Sequence, residues 1–108
     1  MHKLVISKLA RADMVQIGDY IRQELANPKA ALRMMQKLKE TMLPLREFPE
    51  MGTPLHAVEK HIIPYRYLVC GHYMVFYHFS PDVVYIDRIL YGRRDYMALL
   101  FGDRIAEE

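Results

Sequence analysis

Tryptophan is absent, cysteine occurs once, and no run approaches the ~18 consecutive apolar residues that a membrane-spanning helix needs. The lone Cys70 excludes a disulfide framework and any CxxC metal or redox motif. Set inside a hydrophobic run, it reads as a core residue rather than a nucleophile. Neither sign of charge prevails: fifteen Lys and Arg stand against thirteen Asp and Glu, a net of +2. Such a balance permits an anionic partner without requiring one, because affinity for phosphate depends on clustered cations. Residues Met1 to Ser7 carry one lysine and a short apolar stretch, too little for a secretory signal. A soluble cytoplasmic protein without membrane contact is expected. No repeat, linker or low-complexity tract interrupts the chain. What is present is ordinary globular material, 52% hydrophobic and 26% charged over 108 residues. That length suits one domain spanning 1–108, with a core modest enough to leave room for a partner.

Lys3 to Ser7 is apolar and β-branched and predicts a short strand. From about Leu9 the period changes. Met14, Ile17, Ile21 and Leu25 recur at spacings of three and four, with Arg11, Asp13, Asp19, Arg22 and Glu24 between them, which predicts an amphipathic helix with those charges solvated. Asn27-Pro28 then supplies an N-cap and a proline at the first helical position, where its missing N–H costs nothing. Ala31, Met34 or Met35, Leu38, Met42 and Leu45 form the stripe of a second helix, and Pro49, Gly52 and Pro54 mark its exit turn. Two helices with a short join predict an antiparallel hairpin. Beyond Pro54 three runs rich in Val, Ile, Tyr and Phe follow, Ile62 to Cys70, Tyr73 to Phe79 and Val83 to Tyr91. Their connections, Gly71-His72 and Ser80-Pro81-Asp82, predict an antiparallel meander. Alternation puts Tyr73, Val75, Tyr77 and Phe79 on one face and Met74, Phe76 and His78 on the other. Tyr96 to Phe101 reads as a short terminal helix.

Four fragments in order carry a resemblance: Leu45-x-x-x-Pro49-x-x-Gly52, Tyr65-Arg66-Tyr67, Gly71-x-Tyr73-Met74-Val75-Phe76-Tyr77, and Ile86-Asp87-Arg88-Ile89-Leu90-Tyr91-Gly92-Arg93-Arg94-Asp95. Together they resemble the RelE/ParE superfamily, the toxin halves of bacterial type II toxin–antitoxin pairs of the plasmid-stabilisation kind. The resemblance implies an α+β fold in which an N-terminal strand and an antiparallel helical hairpin pack on an antiparallel β-meander, closed by a short C-terminal helix. It implies growth arrest unless a cognate antitoxin docks an amphipathic or extended segment onto the helices and exposed sheet. It implies no cofactor.

The superfamily has two branches, and the fold does not choose between them. RelE-like members cut messenger RNA on the ribosome, whereas ParE-like members are associated with poisoning DNA gyrase. Metal-free RNA cleavage needs a group to deprotonate a 2′-hydroxyl, cations for the phosphorane and an acid for the leaving oxygen. The RelE-like pattern has an arginine three residues before the glycine joining the second and third strands, where this chain has Leu68. It has a second arginine after the last strand, a role open to Arg94, and an aromatic residue six positions later, where this chain has Leu100. The ParE-like pattern places a basic residue five before that glycine, as Arg66 stands, and ends in a run that Leu90 to Asp95 and Leu99-Leu100 match. The resemblance therefore leans to the ParE-like branch, with Arg66, Arg93, Arg94 and Tyr96 as contacts to a topoisomerase or the antitoxin. The alternative is a ribosome-dependent endoribonuclease in which Arg94 stabilises charge and His78 or Tyr96 moves the proton. A third is a relic that keeps only antitoxin binding. Whether the chain is an enzyme stays open at this point.

Each candidate has a blander reading beside it. Arg93 or Arg94 can form a surface pair with Asp95 or Asp87. Arg88 is expected in a structural ion pair, and His72 is expected to be solvated in its turn. His78 is expected to satisfy a sheet edge or to act as a general base. His56 and His61 do not fit a helical metal pair, and no metal is expected. The tyrosines of the strands are expected in cross-strand packing.

Overall fold

The computed structural model describes residues 1–55 and 65–92. Strand β1 (Lys3–Ile6) leads into helix α1 (Lys8–Asp19), which continues as one turn of π-helix over Tyr20–Glu24. Helix α2 (Pro28–Met42) ends in a 3₁₀ turn over Leu43–Arg46, and β2 (Thr53–Pro54), β3 (Arg66–Cys70), β4 (Tyr73–Phe79) and β5 (Val83–Tyr91) follow. Both helices start where side-chain caps dictate. Ser7 Oγ accepts from the Ala10 N–H at 3.0 Å, and Asn27 Oδ1 accepts from the Ala30 N–H at 3.1 Å just ahead of Pro28, each satisfying a donor that the first turn cannot pair internally.

The sheet runs in the order β1-β5-β4-β3-β2. The three long strands form the expected antiparallel meander, but β1 lies parallel to β5, Lys3 beside Val83 and Ile6 beside Ile86, so the five-stranded sheet is mixed. The short β2 pairs with β3 through Thr53 and Pro54, where the sequence suggested only an exit turn. β4 is the central strand. His78 therefore satisfies no edge, contrary to its blander reading.

The helices cover one face of the sheet. Ala10, Ile17, Ile21, Ala31, Leu38, Met42 and Leu45 meet Cys70, Tyr73, Val75, Tyr77, Val84, Ile86 and Ile89 in one buried cluster. On the opposite face Met74, Phe76 and Leu55 form a second cluster with Tyr65, Tyr67 and Leu90 against it. The alternation along β4 is as expected from its sequence.

Two expectations for the first helix fail, each for a physical reason. Leu25 is 56% exposed. The π-helical turn over Tyr20–Glu24 advances fewer degrees per residue than an α-turn, and the accumulated lag carries Leu25 off the stripe that Met14, Ile17 and Ile21 begin. Asp13 is 7% exposed rather than solvated. It sits one turn from both Ala10 and Ile17, on the buried side of α1, where it finds ionic and backbone partners in β5. The third apolar run begins as strand only at Arg66, and its stretch at residues 62–64 lies outside the described residues, as does the expected helix Tyr96 to Phe101.

Candidate functional site

The chemistry of the sheet turns on one irregularity in β5. Phe76 stands opposite Arg88, but the next residue of β4, Tyr77, stands opposite Ile86, which leaves Asp87 as an extra residue in a β-bulge. The bulge shifts the phase of β5, so that Val84, Ile86 and Ile89 all reach the helix-side cluster although the last spacing is three. It also frees Asp87 to turn to the outer face.

There the Asp87 carboxylate takes a hydrogen bond from His78 Nδ1 at 2.7 Å, with the two side chains 22% and 35% exposed. The His78 ring stacks on Tyr85 at 4.8 Å and meets the edge of Tyr65 at 5.5 Å. Burial raises the Asp87 carboxyl above its ordinary range, and the hydrogen bond from His78 partly opposes that shift. Burial likewise raises the Tyr65 phenol, helped by the nearby Asp87 charge. With Asp87 on Nδ1, His78 can present Nε2 as a base, the arrangement a proton-transfer residue uses.

Beyond Ile86 the strand β1 has ended and α1 takes its place beside β5. Ser7 Oγ donates to the Asp87 carbonyl at 2.9 Å, and Asp13 Oδ2 accepts from the Ile89 N–H at 2.9 Å. Arg88 closes the group bidentately, its Nε and Nη2 donating to the two oxygens of Asp13 at 2.8 and 2.9 Å. The hydrogen bonds it donates to Asp13 hold the Arg88 guanidinium above its ordinary pKa. Arg88 is thus the structural ion-pair partner that its place in the strand suggested.

Arg66 lies elsewhere. It alternates with Leu68 and Cys70, which pack in the helix-side cluster, and its Nη1 donates to the carbonyls of Glu50 at 3.1 Å and Gly52 at 2.9 Å. Tyr77 holds the same turn from beneath, its hydroxyl donating to the Pro49 carbonyl at 2.7 Å and accepting from the Gly52 N–H at 2.9 Å. Burial raises the Tyr77 phenol. A Cβ at position 52 would stand 2.5 Å from Tyr77 Oη and 2.9 Å from the Tyr67 carbonyl, so the Leu45-to-Gly52 fragment needs glycine there. Arg66 and His78 consequently stand on opposite faces of the sheet. Arg93, Arg94 and Tyr96 lie outside the described residues. The last described residue, Gly92, has φ of +67°, a left-handed step that favours glycine, and its N–H donates to the His72 carbonyl at 2.7 Å.

A second feature lies on the helices. Arg11, Met14, Val15, Gly18, Arg22 and Met35 line an open groove of about 380 Å³ between α1 and α2. Arg22 is paired with Asp19. From Lys8 to Arg46 the chain carries eight Lys and Arg against four Asp and Glu, so the near-neutral total conceals a cationic helical layer. Among the described residues no group of three or more His, Cys, Asp and Glu could hold a metal.

Comparison with known proteins decides the family. The family described as ParE toxin of the type II toxin–antitoxin system parDE matches residues 4–96. The chain belongs to the ParE toxin family. This ParE-family chain is similar to Toxin RelE2 of Caulobacter vibrioides, 33% identical over 94 residues that cover 87% of this chain and 99% of the relative. Its fold is similar to a chain from the chromosomal ParDE system of P. aeruginosa, with a TM-score of 0.72 at 22% identity over 86% of this chain and 98% of the other. The α+β fold and the RelE/ParE resemblance read from the four fragments are both borne out.

The sequence reading missed the partners of His78. Asp87, Tyr65 and Tyr85 come together only through the bulge, whose trace in the sequence is the Asp87-Arg88 pair set inside an otherwise apolar strand. The groove between the helices had a clearer signal in Met14, Val15 and Gly18 flanked by Arg11 and Arg22.

Proposed function

We propose that this toxin arrests growth by ParE-like inhibition of a DNA topoisomerase, gyrase in the first instance, through protein contacts made by Arg66, Arg93, Arg94 and Tyr96. The observation that supports this over RNA cleavage is the place of Leu68. Where the ribonuclease pattern has an arginine, this side chain packs against the core beneath the helices. The phosphorane would lack a cation from that position, and electrostatic stabilisation is the largest single contribution to such chemistry. Both bonds of Arg66 run through Nη1, so its remaining donors can meet a partner protein.

The antitoxin is proposed to lay an acidic amphipathic segment in the α1/α2 groove, its apolar side on Met14, Val15 and Met35 and its carboxylates toward Arg11 and Arg22. The corresponding genomic expectation is a small acidic reading frame abutting this one, with a DNA-binding N-terminal part.

Induction of the toxin tests the target. Accumulation of cleaved gyrase–DNA complexes and a DNA-damage response, with translated messages intact, is the expected result. Defined cuts in translated messages that vanish in Arg94→Ala or His78→Ala would overturn it in favour of the endoribonuclease.

A further inference from the structure

The cations of the helical layer are not scattered on α2. Lys29, Arg33 and Lys37 recur every four residues, and all three are exposed. A step of four residues climbs about 6 Å along a helix and turns about 40° round it, so these side chains form one stripe about 12 Å long. The core face of the same helix, Ala31, Leu38 and Met42, is buried on the sheet and fixes the stripe toward solvent. Glu40, the acid of α2, stands a turn beyond Lys37, where its Oε1 accepts from Gln36 Nε2 at 3.1 Å.

The stripe runs toward one end of the sheet. A Cβ at position 71 would stand 3.9 Å from Lys37 Nζ and 3.6 Å from Met34 Cε, so α2 lies against the Gly71-His72 turn. His72 and Tyr91 are both exposed there, with ring centroids 6.0 Å apart. Tyr91 stands opposite Tyr73 in the ladder, and their rings meet edge to face at 5.5 Å. Tyr73 is buried, so a 69% exposed tyrosine is held in place by a core residue. The line of cations thus ends beside two ring side chains that can donate hydrogen bonds, the His72 imidazole and the Tyr91 hydroxyl.

We infer that this surface grips the phosphate backbone of duplex DNA, with Lys29, Arg33 and Lys37 as the cations and His72 and Tyr91 as donors at its end. Duplex DNA carries one negative charge per ~1.7 Å of axis, so a stripe of about 12 Å spans some seven phosphates and each cation finds one. Binding of this kind is indifferent to sequence, because phosphate contacts position a protein without reading the bases. A surface dominated by cations and hydrogen-bond donors suits DNA better than a protein partner, since the centre of a protein–protein interface is depleted of charge. The inference rests on the topoisomerase reading for where that DNA is met. The toxin holds the DNA segment beside the enzyme as well as the enzyme itself, which prolongs the cleaved complex.

Fluorescence anisotropy of the full-length toxin on a labelled DNA duplex of arbitrary sequence tests the surface by itself. The wild type should bind with a dissociation constant of about 1–100 μM at physiological salt. The triple variant Lys29→Gln, Arg33→Gln, Lys37→Gln should bind about tenfold or more weakly, and its slope of log affinity against log salt should be shallower by about 3. Lys39→Gln lies about 200° round the helix from Lys37 and should bind within about twofold of the wild type. Unchanged thermal melting by circular dichroism shows that the variants fold. A wild type that does not bind the duplex, or a triple variant that binds like it, overturns the inference. So does a tenfold or greater preference for single-stranded RNA, or equal competition by polyglutamate at matched charge. A second arm uses gyrase and plasmid DNA, where the triple variant should trap cleaved complexes about threefold or more less than the wild type. Equal trapping by the two overturns the DNA grip. No trapping by the wild type overturns the topoisomerase reading, and the anisotropy then decides the DNA surface alone.

Discussion

The two flanks of the sheet are handled in different ways. On the β3 flank, the turn from Pro49 to Pro54 is clamped against the sheet by side chains, Tyr77 from below and Arg66 from beside it. On the β5 flank, α1 does the sealing with one buried carboxylate, Asp13, which takes both the Ile89 N–H and the Arg88 guanidinium. On β1, at the far end of that flank, the outward N–H and C=O of Leu4 and Ile6 meet no partner among the described residues. A small domain thus spends its few buried polar groups on the edges it must close.

Substitutions along these flanks test the contrast, and the largest effect is expected at Asp13. Replacing it by Ala leaves Arg88 and the Ile89 N–H unpaired in a partly buried place, so Asp13→Ala should cost about 3–5 kcal/mol in urea unfolding. Next comes Gly52→Ala, whose new Cβ meets Tyr77 and the Tyr67 backbone. Overpacking of this kind costs about 1–3 kcal/mol, read as a lower unfolding midpoint. A loss as small as that of an ordinary surface substitution would show that the β3-flank turn is not clamped. Tyr77→Phe removes only the hydroxyl, leaving the Gly52 N–H without its acceptor, and should cost about 1–2 kcal/mol with the fold intact.

The smallest effect concerns the outer face and is a matter of pH. Asp87 has a folded-state pKa above its ordinary 3.8. The folded protein therefore holds this proton more tightly than the unfolded chain does, and stability from this group falls as pH rises from about 4 through the raised pKa. In Asp87→Asn that downward slope should disappear from the stability–pH profile over the same window. An unchanged slope would place its origin in other carboxylates.

Much of the fold was legible along the chain. The ends of β4 and β5 and the start of α2 fall where the residue patterns put them, because turns such as Gly71-His72 and the Asn27-Pro28 cap act over a few neighbouring residues. Leu25 was misplaced because a π-turn leaves no mark on hydrophobic periodicity. Asp13 was misplaced because a carboxylate at one helical position reads as solvated until its partner, seventy-five residues away, is known. The same holds for the candidate site. Arg66 and His78 could each be singled out by residue type and position, and alternation along β4 gave the face of His78, but the partners each meets depend on which strands pair and on a bulge one residue long in β5.

The amino-acid sequence by itself determined the two helices and the long strands β3 to β5, most of their apolar faces and the family, since each rests on local propensity, short-range capping or motifs read in order. Tertiary structure alone decided that β1 joins β5 in parallel, that Asp13 is buried, and that Asp87 turns outward to His78. The first two depend on contacts between residues 75 to 80 positions apart, which form only when the sheet and its helices close around one core, and the third on a bulge that only the pairing of β4 with β5 reveals.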